Sequence, residues 1–296
     1  MDKRRFKKVA LSTAESISFL KQKGLTFSDP AAAEQCLAYI GYYRLKIYMR
    51  PFEDAGGHKE FVRGTDFNDI VALYNFDRKL RLLCMDALER IEVSLRSHII
   101  NVMGKHGGPH FYYQERFFGK EAAKNKHERV RDLKMFALEA QHLSINHYRK
   151  TYCFPEMPPI WCLTEASTFG FVSKLYANLN VRYRKEIAKA YDLDESILVS
   201  WFRSLTGLRN ICAHHGRLWN ARLVVDQPKQ AKAYKADLQD PDSFYSRAVL
   251  MIVLMGQVSP DAQWKDNFKL LIDEHPKVCS KAIRFPADWR DRTLWQ

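Results

Sequence analysis

The sequence has no long hydrophobic run. Its longest apolar stretch, Ala248 to Met255 (AVLMIVLM), is far shorter than the roughly 20 residues that a membrane-spanning helix needs, and it predicts a buried helix instead. The amino-terminal segment MDKRRFKKVALS is charged and lacks the apolar core of a signal peptide. We therefore expect a soluble, cytoplasmic protein with no membrane partner.

Cysteine is present but never as a C-x-x-C pair. The chain has six scattered cysteines: Cys36, Cys84, Cys153, Cys162, Cys212 and Cys279. This distribution is typical of reduced, mostly buried thiols and excludes neither a disulfide nor a zinc ligand by itself, but it matches no disulfide framework or zinc-site spacing. We expect no metal and no cofactor.

Internal repeats and low-complexity tracts are also absent, strand-like alternation is rare, and apolar residues recur at helical spacing almost throughout. The fold class is therefore predicted to be all-α. The longest signal runs from Asp66 to about Met103. A helix is predicted from Asp29-Pro30 to about Tyr48, another over Ile160–Leu179 with an interruption at Gly170, and Asp194 is predicted to start the helix that follows.

Three segments are expected to pack as one compact unit. They are a helical segment with a basic arm over residues 1–65, a helical core over 66–226, and a helical extension over 227–296.

The net charge of +13 and the isoelectric point near 9.4 favour a polyanionic partner, either nucleic acid or an anionic membrane surface. The basic arm contains Lys3, Arg4 and Arg5, which are candidates for RNA phosphate contacts. The alternative is that the charge serves solubility and the arm is a solvated terminus.

The segment from Leu205 to Leu223, LTGLRNICAHHGRLWNARL, places Arg209 and Asn210 shortly before His214. A guanidinium that binds phosphate and an imidazole that exchanges protons near neutral pH can together cut RNA without a metal. The spacing alone is not evidence, because about two Arg–His pairs at such a separation are expected by chance and two are found, Arg209 with His214 and with His215.

A helical projection adds geometry. Ile197, Trp201, Leu205, Leu208 and Cys212 form one apolar stripe. At about 100° per residue, Arg209 lies at the edge of the stripe, His214 faces solvent, and His215 falls within about 50° of the stripe. We expect His215 to be a half-buried, hydrogen-bonded structural residue and His214 to be the acting one.

Arg209 and His214 are also about 140° apart on an ideal helix. Either the helix deforms near Asn210, the arginine reaches round, or the cleft forms between two chains.

On the long helix, Glu92 and Arg96 are four residues apart and are expected to pair on its surface, as possible support for the site. Glu89 and Glu92 could instead be paired catalytic carboxylates, although no His or Asp lies near them in sequence to complete such a site.

The segment LRNICAHHGRLWNARL closely resembles the hallmark of the Abi-like proteins, the AbiD/AbiF group of bacterial abortive-infection proteins in the HEPN superfamily. Further similar segments occur in the family's order: Tyr39 to Tyr48 (YIGYYRLKIY), Phe67 to Arg96 (with LYNFDRKLR and ERIEVSLR), Pro159 to Leu179, and the FPADW tail. The resemblance implies a HEPN-type helical bundle with additional terminal helices, acting as an antiphage ribonuclease toxin. Because only one Arg-x4-His is present, it also implies a homodimer.

In this interpretation His214 removes the proton of a ribose 2′-hydroxyl, a protonated His of the other subunit serves the leaving group, and Arg209 binds the scissile phosphate. Asn210 orients the phosphate or fixes the local backbone, and Arg217 and Arg222 extend an RNA-binding surface. A structured non-coding RNA is the expected inhibitor or activator. Many HEPN toxins silenced by adenylylation carry a Tyr two residues after the motif His. Gly216 stands there, so that control is not expected.

Two alternatives remain. One is a non-catalytic RNA-binding module that holds a structured regulatory RNA, and the other is a protein-interaction module or metal-dependent hydrolase.

Overall fold

The computed structural model of the protein describes residues 9–54, 56, 60–124, 126–260, 263–276 and 283–296. Within these residues the secondary structure is helical, with isolated β-bridges but no β-strand, so the predicted all-α class is confirmed. The α-helices are α1 (Thr13–Gln22), α2 (Pro30–Tyr39), α3 (Tyr42–Met49), α4 (Phe67–Gly107), α5 (Lys120–Lys124), α6 (Lys126–Glu139), α7 (Leu143–Thr151), α8 (Ile160–Ala166), α9 (Phe169–Asn178), α10 (Val181–Ala188), α11 (Glu195–Ala213), α12 (Phe244–Val258) and α13 (Trp264–Asp273).

Helix α4 is the longest element, and its apolar stripe is buried as the periodicity predicts. The buried stripe residues are Ile70, Leu73, Leu80, Cys84, Ala87, Leu88, Ile91, Leu95 and Ile99. The chain divides into two compact units, residues 1–79 with 274–278 and residues 80–273 with 279–296, and the division falls inside α4. The residues of the motif described below all belong to the second unit.

In the first unit, the single helix predicted from Asp29-Pro30 to Tyr48 is wrong. Gly41 has a φ of +89°, a conformation that favours glycine and that an α-helix cannot contain, so the chain forms α2 and α3 on either side of it. The Asp29 side chain caps α2 by accepting a hydrogen bond from the Ala32 N–H.

In the second unit, α11 packs against α9, α10 and α12. Trp201 and Phe202 of α11 are fully buried, and α12 is buried along nearly its whole length, as its apolar sequence predicts. None of the described helices combines the length and the apolar content needed to cross a membrane.

The predicted interruption at Gly170 is wrong by three residues. The chain breaks at Ser167 and restarts at Thr168, whose hydroxyl caps α9 by accepting from the Phe171 N–H, and Gly170 lies inside α9. A Cβ at Gly170 would lie 3.3 Å from Thr206 Cγ2, so this glycine permits close packing of α9 on α11.

Candidate functional site

Helix α11 carries the motif and begins where the sequence predicts. The Asp194 carboxylate accepts a hydrogen bond from the Ser196 N–H at 2.8 Å, and hydrogen bonds from Ser196 lower the pKa of Asp194. The predicted stripe is buried at Trp201, Leu205, Leu208 and Cys212, whereas Ile197 is half-buried. Burial of this stripe fixes the rotation of α11.

That rotation leaves Arg209 half-buried at the edge of the stripe and Asn210 exposed, as the projection predicts for the arginine. The helix remains α-helical through Asn210 and ends at Ala213. The suggested deformation near Asn210 is therefore not what the structure contains.

The end of α11 is a Schellman motif. The His215 N–H bonds to the Cys212 carbonyl at 3.0 Å, and the Gly216 N–H bonds to the Ile211 carbonyl at 2.7 Å. His214 is the C-cap residue, and His215 occupies the left-handed position with a φ of +58°. Glycine normally fills that position, because a β-carbon there is strained.

Gly216 is the next residue, and it is held on both sides. A Cβ there would lie 2.8 Å from Ile211 Cγ2 and 3.1 Å from the Ile211 carbonyl oxygen. Arg81 of α4 is buried and donates from Nη1 to the Gly216 carbonyl at 3.3 Å. The turn after the two histidines is thus anchored to both α11 and α4.

Both histidines are exposed. The prediction holds for the exposure of His214, but the expected half-burial of His215 is wrong. The projection assumed helical backbone through residue 215, whereas the left-handed residue turns the chain out of the helix at that point.

Arg209 and His214 both have side chains that are available to an external ligand. Within the part of the chain that the structure describes, neither side chain has a hydrogen bond or an ion pair. The His214 N–H still bonds to the Asn210 carbonyl at 3.0 Å, so its Cα keeps its helical placement. On helical backbone up to residue 214, the Cα–Cβ bonds of Arg209 and His214 point about 140° apart around the helix axis.

Glu92 and Arg96 form an ion pair, but not on the helix surface as predicted. Both side chains are largely buried, and the Arg96 guanidinium also donates to the Glu165 carbonyl at 3.3 Å and to the Ser167 carbonyl at 2.8 Å. The pair thus ties α4 to the break between α8 and α9. Since Arg209 and His214 lack polar partners among the described residues, neither Glu92 nor Arg96 contacts them through a hydrogen bond.

The loop after the motif places the remaining candidates. Arg222 is exposed and lies 3.6 Å from the Asp242 carboxylate, so part of its charge is compensated. Arg217 is half-buried and has no polar partner among the described residues. Lys3, Arg4 and Arg5 lie outside the described residues.

Residues that sequence reasoning passed over hold this loop in place. Arg247 is fully buried and donates to the carbonyl oxygens of Leu223 and Pro241, and burial lowers its pKa to about 10. Leu218 and Trp219 of the motif are buried anchors. A usable signal existed, because a single arginine directly before the apolar run at Ala248 predicts a buried charge with carbonyl partners.

No group of three or more His, Cys, Asp or Glu side chains among the described residues is arranged to hold a metal ion. What the site offers is a positioned guanidinium, an exposed imidazole and an anchored turn.

Comparison with known proteins finds no curated protein and no solved structure that matches the chain. A family model does match, over residues 35–220, which is more than half of the sequence and includes α4 and the whole of α11. The match ends at Asn220, just beyond the anchored turn, so the Arg209–His214 segment lies inside it. The chain therefore belongs to the family of Abi-like proteins, which suggests a role in abortive infection.

Proposed function

We propose that this protein is a HEPN-type endoribonuclease that acts in antiphage abortive infection and cuts RNA without a metal ion. The observation that carries the proposal is the pairing of two unsatisfied side chains, Arg209 and His214, at the end of a rigidly packed helix. The side chains of Arg81, Arg96 and Arg247, which are largely or fully buried, donate hydrogen bonds to backbone carbonyls. Arg209 is half-buried but has no such partner among the described residues, which favours an external ligand.

The chemistry follows from the groups present. His214, neutral, accepts the proton of a ribose 2′-hydroxyl while that oxygen attacks the adjacent phosphorus. The bond from phosphorus to the 5′-oxygen breaks, and the leaving oxygen takes a proton from a protonated His214 of a second chain. Arg209 binds the non-bridging oxygens and stabilises the charge that develops on them. The products are a 2′,3′-cyclic phosphate and a 5′-hydroxyl.

A second copy of the chain is part of this proposal. The offset of about 140° between Arg209 and His214 around the helix axis supports a site shared by two chains, because two facing copies of the motif supply two arginines and two histidines. The exposed Asn210, between them in sequence, is placed to orient the bound phosphate.

The same divergence favours one alternative, a non-catalytic module in which Arg209 and His214 only bind a structured RNA. In that case a single chain suffices and no proton transfer occurs. The two functions differ in what happens when His214 is replaced.

The test is incubation of wild type and His214→Ala with RNA in EDTA, followed by identification of the new ends. We expect wild type to leave 2′,3′-cyclic phosphate ends, His214→Ala to lose at least about a hundredfold in rate because the general base is gone, and DNA of the same sequence to survive. His215→Ala is the matched control, an exposed neighbouring histidine that should keep most activity.

RNA left whole by the wild-type protein, with binding retained, would favour the binding module. Cleavage that EDTA abolishes, or that His214→Ala retains, would contradict the proposed chemistry.

A further inference from the structure

A basic cleft of about 220 Å³ lies in the second unit, apart from the motif. Its lining residues are His106, Arg116, Phe117, Arg182, Tyr183 and Glu186. We call it the Arg116–Arg182 cleft. It joins the end of α4, the short helical turn at Glu115–Phe117 and the start of α10.

Both arginines of the cleft lie over aromatic rings. The Arg182 guanidinium carbon lies 4.4 Å from the centre of the Tyr183 ring, and that of Arg116 lies 4.8 Å from the centre of the Phe117 ring. The two rings are buried and 5.5 Å apart. A stacked guanidinium keeps its N–H groups at its edge, so both arginines are preorganised to donate to an anion.

The charge balance of the cleft is positive. The carboxylate of Glu186 is 2.8 Å from His106 Nε2 and so is engaged by the histidine. Among the residues that the structure describes, Arg116 has no hydrogen bond or ion pair. The only hydrogen bond of the Arg182 side chain to these residues is to the Tyr183 hydroxyl. Among the described residues, no carboxylate forms an ion pair with either guanidinium.

Two further cations extend the positive surface along α10 and the turn after it. Lys185 and Lys189 are exposed, and neither has an ion-pair partner among the residues that the structure describes. A concave site of this size admits a phosphate group and its sugar but not the surface of a bilayer. Bidentate recognition by arginine suits phosphate oxygens.

We propose that the Arg116–Arg182 cleft binds backbone phosphates of RNA, as a second contact for the strand that is cut at the motif. This inference rests on the proposed function in taking RNA as the ligand. Arg184, two residues beyond Arg182, pairs with Glu195 at 3.0 Å in the first turn of α11, whereas Arg209 lies near the other end of that helix. Along α4, His106 of the cleft lies 25 residues beyond Arg81, which bonds to the Gly216 carbonyl, so cleft and motif are roughly 35–40 Å apart at 1.5 Å per residue.

The experiment measures binding of a labelled single-stranded RNA by fluorescence anisotropy over a range of salt concentrations. All proteins carry His214→Ala so that the RNA stays intact. The cleft variants are Arg116→Gln and Arg182→Gln, with Arg182→Lys as the version that keeps the charge. The matched control is Arg290→Gln, since Arg290 also stacks on a ring, at 4.7 Å from Trp289, but is paired with Asp273 at 2.6 Å and lies outside the cleft.

We expect each Gln variant of the cleft to raise Kd about threefold to tenfold and to reduce the salt slope by about 0.7, the value for one phosphate contact with a single strand. Arg182→Lys should keep most of the slope, and Arg290→Gln should bind like its parent. Thermal melting of each variant checks that the fold is retained.

Unchanged Kd and slope in both Gln variants would overturn the inference, and so would an equal loss in Arg290→Gln, which would indicate a general effect of charge. Cleavage of RNA is measured separately, with the wild-type protein that retains His214. A protein that binds through the cleft but never cuts RNA contradicts the proposed function alone, and a nuclease that binds without the cleft contradicts this inference alone.

Discussion

Gly216 shows how one residue determines the position of the catalytic candidates. Its backbone passes so close to Ile211 that a side chain does not fit, and the Schellman hydrogen bonds on either side of it set where His214 ends the helix. Arg81 fixes the same residue through its carbonyl. The glycine is therefore required by packing, not by a positive φ.

Gly216→Ala should lower the free energy of unfolding by about 1–3 kcal/mol, because the new methyl group overlaps the backbone and side chain of Ile211. Urea denaturation with the slope held constant measures it. Gly207→Ala, inside the preceding helix α11, is the matched control. A Cβ at Gly207 meets nothing within 4 Å, so that variant should gain about 0.5–1 kcal/mol from helix propensity. A Gly216→Ala protein as stable as wild type would show that Ile211 can move aside.

The residue scale also shows how far the sequence predicts the site. The position of Arg209 at the edge of the buried stripe and the exposure of His214 follow from helical periodicity alone. The exposure of His215 does not, because periodicity carries no information on where a helix ends, and the glycine that would normally mark the left-handed position stands one residue later. The predicted pairing of Glu92 with Arg96 is confirmed, but helical periodicity does not show that the pair is largely buried and bonded to the Ser167 carbonyl, which is distant in sequence.

At the scale of the element, the two ends of helix α11 differ in what they contribute to the structure. Its amino end is capped by Asp194 and its carboxyl end presents the motif. Helix α4 lies antiparallel to it, since Arg81 contacts the turn beyond the carboxyl end while the Ser94 hydroxyl lies 2.9 Å from that of Tyr191, just before the amino end. The segment of α4 from Arg81 to Ser94 thus runs beside α11 and contacts the chain at both of its ends.

Asp194→Ala should destabilise the protein by about 1 kcal/mol at neutral pH through loss of the N-cap. The pKa of Asp194 in the folded protein lies below its ordinary value of 3.8, so the charged cap stabilises the fold above that value and the benefit is lost as pH falls through the lowered pKa. The deficit of the alanine variant, measured by urea denaturation from neutral to acidic pH, should therefore shrink at low pH. Asp194→Asn keeps a neutral cap, and its small deficit should vary less with pH. A deficit for alanine that stays constant would show that the carboxylate charge does not contribute.

The ends of elements were the least predictable part of the fold. Long periodic segments such as α4 and α11 are predicted from the sequence, because an apolar stripe that continues over many turns is buried only when the segment is a helix with that face toward the core. The break at Gly41 depends on a φ that a glycine permits but does not require. At the break at Ser167, the carbonyl freed from the helix accepts from Arg96 of α4, a tertiary contact that the local sequence does not reveal. Glycine and serine mark where a helix can stop, whereas packing decides whether it does.

At the scale of the whole molecule, the net charge of +13 gives the protein a long-range attraction for polyanions, and the motif and the Arg116–Arg182 cleft are the two places where we propose that RNA is bound. Each chain contains one Arg-x4-His motif and therefore supplies one Arg209 and one His214. The proposed reaction needs two histidines, one as base and one as acid, so the number of intact motifs per assembly becomes measurable.

Mixtures of wild type and His214→Ala chains test that count. If both histidines of a dimer are required, mixed dimers are inactive and cleavage falls with the square of the wild-type fraction, so an equal mixture keeps about a quarter of the activity at the same total protein. The mixtures are formed by joint refolding, with exchange verified by mass-tagged chains. Wild type mixed with His147→Ala, which replaces an exposed histidine on α7, is the control and should retain full activity. A fall in simple proportion to the wild-type fraction would mean that each chain cuts with its own Arg209 and His214, and the divergence of those two side chains would then have to be overcome by movement within one chain.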